Sequence, residues 1–257
     1  MLSKILLLSS FTFCIIYPLC FWISIKDPLK NNFHKFHLGL PNVVGGLVII
    51  SLFLFNLPLP ILLLCIAWKA SLISVSKYFW KKGSPDPRLL TIPFIFGLLA
   101  YSRLHMYLLG QGGDGIASWV LGGFILCSSL FAMNLGHWYL NVHGLPIAHL
   151  KRATYILGIF LAVRLIFDAV IIFSGKVFYS GEFISIFRFI GNLDGFLLLI
   201  ALFFGSLFPL ISIYFVKGTL DVKNTQSATG ILYVILASIL IGDMAYKYYS
   251  IKFGLSL

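Results

Sequence analysis

The chain has 257 residues, of which 60% are hydrophobic and 11% charged, with a mean hydropathy of +0.98 and a formal net charge of +11. Soluble domains carry roughly 25% charged residues, so an ordinary soluble fold is excluded. Apolar runs of about 20 residues recur along the whole length, which points to an all-α, polytopic transmembrane helical bundle with short loops and a single integral membrane domain over 1–257.

The lysines and arginines are scattered, many of them in short loops between apolar runs. That is the pattern of membrane topology and headgroup contact, so the expected partner is a lipid bilayer and not a nucleic acid. Cys14, Cys20, Cys65 and Cys127 all lie inside apolar runs without CxxC spacing and read as small packing residues.

The first span is predicted at about 3–25. Its length and the lack of a small-x-small cleavage site make it a retained span and not a signal peptide. Loop 26–38 carries Lys26, Lys30 and Lys35, with His34 and His37 read as solvated or headgroup-facing. Spans two and three are predicted at about 39–56 and 59–80, separated by Asn56-Leu-Pro-Leu-Pro60. A continuous helix over 39–80 would be about 63 Å long, twice the hydrocarbon thickness, and the two prolines supply a break. The alternative is one span at about 43–67 followed by a surface helix, giving seven spans in all.

Span four follows at about 89–110, after the basic loop 81–88. Residues 110–115 formally match GxGxxG, but that motif works between a strand and a phosphate-facing helix; between two membrane spans it reads as a turn. Spans five to eight are predicted at about 117–141, 153–174, 184–216 and 228–250. Loop 142–152 holds His143 and His149, loop 175–183 is nearly neutral, and Asn224 begins a stretch suited to capping the last helix. With eight spans, loops 26–38, 81–88, 142–152 and 217–227 share one side and hold nearly all the loop Lys and Arg. The positive-inside rule then places those loops in the cytoplasm of a bacterial inner membrane, with both termini outside.

Two groups of polar residues inside the spans are candidates for function. At 100° per residue, span five carries Cys127, Asn134, His137 and Asn141 on one side, interrupted by Leu130. A polar stripe is expensive in lipid unless it faces protein or water. The ionisable group comprises Arg103 and His105 in span four, Arg164 and Asp168 in span six, Arg188, Asn192 and Asp194 at the start of span seven, and Asp243 in span eight. Arg164 and Asp168 are spaced to pair on one helix face, as are Asp243 and Lys247. Arg103 and His105 point to nearly opposite sides, and Lys69 sits midway along span three. Such a set is either a salt-bridge lock between spans or a polar site for a ligand, proton or ion.

His105 and His137 are predicted to differ in depth by about 20 Å, so they cannot share one metal or haem. No metal-binding or membrane-enzyme motif is present, and the two halves lack the internal similarity of an inverted-repeat transporter. The reading favoured by the sequence is a membrane subunit of a respiratory or redox complex, with an intramembrane quinone or proton site and other subunits as partners. The alternatives are a small-solute or ion transporter using the Arg/Asp cluster, and an interfacial lipid-modifying enzyme with His137 as general base.

Overall fold

A computed structural model describes residues 1–25, 29, 33–82, 85–142 and 145–256. Lys26, Lys30 and His143 lie outside the described residues. Among the described residues, eight helical segments are long and apolar enough to cross a membrane, and the protein is an all-α multi-pass membrane protein. The chain divides into two compact units, Met1–Gly112 and Gly113–Leu257, with four of these segments in each.

In the first unit, α1 (Leu2–Ile16) runs on as a 3-10 helix over Tyr17–Ser24, where Pro18 supplies no amide for an α-type bond. Then come α2 (Phe33–Leu52), α3 (Leu59–Trp80) and α4 (Pro87–Leu109). Helices α2 and α3 are separate, with the chain leaving helix between them ahead of Pro58 and Pro60, so the eight-span reading holds over the seven-span one.

Helix α2 begins before the apolar run that marked its predicted start, and this corrects the reading of His34 and His37 as solvated. Both are 2% exposed. His37 Nδ1 shares a 2.7 Å hydrogen bond with the Tyr17 hydroxyl, and its ring stacks on Phe33 at 3.9 Å. Hydropathy scores histidine as polar, whereas an imidazole with a hydroxyl partner and aromatic neighbours can be buried. His149 is corrected in the same way: it lies within α6 and is buried.

Lys69 is half-buried. It donates to the Asn42 carbonyl at 2.6 Å and the Asn42 Oδ1 at 3.2 Å, while Asn42 Nδ2 donates to Ser76 Oγ at 2.7 Å. The lysine is thus held by acceptors on α2.

The second unit comprises α5 (Gly113–Asn141), α6 (Ala148–Ser174), a hairpin of β1 (Lys176–Tyr179) and β2 (Glu182–Ser185), and a short α7 (Ile186–Ile190). After these come α8 (Leu193–Leu202), a π turn (Phe203–Leu207), α9 (Phe208–Asp221) and α10 (Thr225–Phe253). Asn224 caps α10 by accepting from the Ser227 amide, as its position in the sequence suggests. The segment expected as a neutral loop forms the antiparallel hairpin, turning through Ser180 and Gly181 at positive φ. The seventh span therefore runs from Leu193 to Asp221, after a break at Gly191 and Asn192.

The π turn in that span has a local cause. Pro209 has no amide hydrogen, and the Phe208 amide bonds back to the Phe203 carbonyl, five residues earlier. The Phe204 carbonyl thereby loses its α-helical donor, and its donor in π register would be Pro209. Ser238 on α10 fills the gap, donating to the Phe204 carbonyl at 2.7 Å. In hydrocarbon an orphaned carbonyl is costly. Ser238→Ala is expected to destabilise the fold by about 1–3 kcal/mol, measurable as a lowered detergent melting temperature.

Candidate functional site

The second unit gathers charge at the level of the π turn. Arg164 and Asp168 lie one turn apart on α6 and are each 2% exposed. Arg164 Nε is 2.9 Å from Asp168 Oδ1, and Arg164 Nη1 donates to the Ser118 carbonyl of α5 at 3.2 Å. The guanidinium also lies over the ring of Tyr246 on α10, 3.8 Å from its centroid. Tyr246 turns its hydroxyl to Asp168 Oδ2 at 2.5 Å, and Ser206 of the π turn reaches the same oxygen at 3.4 Å. The carboxylate is thus satisfied from three elements, as a buried charge must be.

A second pair lies next to the first. Asp243 and Lys247, one turn apart on α10, are hydrogen-bonded and both buried. The Lys247 ammonium sits 5.2 Å from the ring centroid of Trp119, whose Nε1 donates to Ser250 at 3.0 Å. Small residues permit this closeness. A Cβ on Gly122 of α5 would stand 2.7 Å from Asp243 Oδ1, and one on Gly242 would stand 2.1 Å from the Gly205 Cα of the π turn. The interior of this unit therefore holds two matched cation–carboxylate pairs, one on α6 and one on α10.

The first pair borders a cleft of about 590 Å³ on the surface of the unit. Leu165, Ile172, Phe173, Phe187 and Phe203 form its walls, and Asp168 and Ser206 lie at its floor. It is almost wholly apolar, with the charged groups just beneath. This is a shape that suits an apolar chain or ring and not a hydrated ion.

No known protein family, curated protein or solved structure matches the chain. The functional reading therefore rests on this geometry.

Of the residues singled out by sequence, Arg164, Asp168 and Asp243 come together. Asp194 lies apart: it accepts from Tyr179 at 3.2 Å and pairs with Lys252 at 3.3 Å, and its carbonyl accepts from Tyr249. Desolvation and the Asp194 carboxylate hold the Tyr179 hydroxyl above its ordinary titration range. Arg188 is exposed, and Asn192 donates back to the Arg188 carbonyl. These groups tie the hairpin and α7 over the end of the unit, around a core of Val177, Ile186, Phe189 and Tyr249. Arg103 and His105 belong to the first unit, the former exposed and the latter buried 5.5 Å from the Tyr101 ring.

The span-five stripe separates along its length. Cys127 is buried, Asn134 half-buried, and His137 and Asn141 exposed. His137 Nδ1 is 3.4 Å from the Tyr233 hydroxyl, and Asn141 bonds to the His137 carbonyl in its own helix. What α5 offers the charged pairs is Ser118, Trp119 and Gly122, outside that stripe. Among the described residues, no group of three or more His, Cys, Asp or Glu is placed to hold a metal ion.

Tyr246, Ser206, Ser118 and Gly122 were not singled out by the sequence. Tyr246 carried the one usable signal, lying three residues after Asp243 and thus on the same helix face.

Proposed function

We propose that this protein is a membrane subunit of a redox assembly, offering an intramembrane quinone or proton site centred on Asp168. The observation that supports this reading is the buried Arg164–Asp168 pair, braced by Tyr246 and Ser206, at the floor of an apolar cleft. A prenylated ring is chemically suited to such a cleft, since its apolar body fills the walls while its oxygen comes to lie against the carboxylate and hydroxyl. Asp168 is then the group that exchanges a proton with the ring, with Tyr246 behind it as its hydrogen-bond donor, and partner subunits carry the metal centres. The proposal places the chain in a bacterial cytoplasmic membrane with its basic loops inside, on the positive-inside rule.

Purification from native membranes in mild detergent tests the assembly. Copurifying cytochrome or iron–sulfur subunits are expected, identified by absorbance and mass spectrometry; a chain that elutes alone and colourless would sink this reading. The ring site is tested separately by titrating nanodisc-embedded protein with a short-chain ubiquinone. Binding is expected to weaken at least tenfold in Asp168→Asn. Solute uptake by proteoliposomes, lost in the same variant, would select the transporter reading in its place.

A further inference from the structure

One member of each buried ion pair, Arg164 and Asp243, borders the same small space. Gly122, Ile125, Arg164, Gly205, Ile239, Asp243 and Tyr246 surround about 10 Å³, close to the volume needed by one water centre. Its lining carries a cation and a carboxylate, which gives it two charged hydrogen-bonding partners. An ideal Cβ on Gly122 would lie 2.7 Å from Asp243 Oδ1 and 4.0 Å from Arg164 Nη1. The side chain that Gly122 lacks is thus what leaves room between the pairs. Lys247 occupies the other Asp243 oxygen, and Arg164 keeps a buried Nη2 with no hydrogen-bond partner among the described residues.

From this geometry we infer that the space is a binding site for a single structural water, which accepts from the Arg164 guanidinium and donates to Asp243 Oδ1. The water joins Asp168–Arg164 and Asp243–Lys247 into one hydrogen-bonded unit of four charges spanning α6 and α10. A change of charge at Asp168 is then felt at Asp243 through the guanidinium and the water, without direct contact between the carboxylates. An isolated pair next to the cleft would lack this second reservoir of charge. The inference is independent of what fills the cleft and stands or falls without the quinone reading.

Radiolytic hydroxyl labelling of the full chain in ¹⁸O-water reads the site directly, because buried side chains are oxidised where a bound water lies beside them. Tyr246 or Ile239 is expected to take up ¹⁸O despite burial, while the equally buried Tyr101 does not. In Gly122→Ala the uptake is expected to fall at least threefold. Absence of ¹⁸O at both residues in the unaltered protein overturns the inference, even if the variant does not fold; so does uptake that Gly122→Ala leaves unchanged. A double-mutant cycle provides the second reading. The effects of Asp168→Asn and Asp243→Asn on the folding equilibrium are expected to depart from independence by about threefold or more, within the range for coupled networks. Independent effects overturn the coupling.

Discussion

Asp168→Asn is expected to destabilise the protein by about 3–5 kcal/mol, the cost of breaking a buried ion pair from one side, and to do so more severely than Arg164→Met. The two halves of the pair are not equivalent. If the arginine is removed, the carboxylate can take up a proton and persist as a neutral acid bonded to Tyr246 and Ser206. If the aspartate is removed, the guanidinium cannot lose its proton at any accessible pH, and it stays charged in the bundle. The Ser118 carbonyl and the Tyr246 ring remain as partial compensation. Melting curves of the two variants and of Arg164→Met/Asp168→Leu provide the check. The double variant is expected to recover most of the loss, because a buried pair can be exchanged for apolar groups with little net change. A double variant no better than Asp168→Asn would contradict this account.

Gly242→Val is expected to prevent α10 from seating against the π turn. Even a Cβ at this position meets the Gly205 Cα at 2.1 Å and its nitrogen at 2.2 Å, and both are backbone atoms that cannot rotate away. Relief requires the helices to separate, which costs typically 1–3 kcal/mol for added core volume and more where backbone is struck. Separation also draws Tyr246 away from Asp168 and Ser238 from the Phe204 carbonyl. The loss is therefore expected to exceed that of Ser238→Ala, and both can be compared by detergent melting temperature. Gly230→Ala, which has open space around its Cβ in the same helix, is the control expected to stay within about 0.5 kcal/mol.

The spans and their number were legible because hydropathy over 20 residues is a local property and lipid tolerates few ways of crossing it. The proline-flanked break before α3 was legible for the same reason, as proline acts on its own turn. Within helices, the i,i+4 spacing placed Arg164 with Asp168 and Asp243 with Lys247, since 3.6 residues per turn needs no knowledge of neighbours. Hydropathy failed at His34, His37 and His149, where a polar label hid side chains that the fold buries. It failed again at 184–190, where a run as apolar as a span is divided between a strand and a short helix.

The sequence by itself thus determined the environment, the helices and the charge pairs within each helix. Tertiary structure decided which pairs share a site: Arg164, Asp168 and Asp243 converge, whereas Arg188 and Asp194 serve the cap and Arg103 and His105 lie in the first unit. It also decided that Ser206 reaches the carboxylate, through a π turn set by Pro209, and that Gly122, Gly205 and Gly242 allow the helices to close on the charges. Contacts between helices depend on which faces pack and at what depth, and that follows from the shapes of all the side chains together. No local period in the chain encodes it.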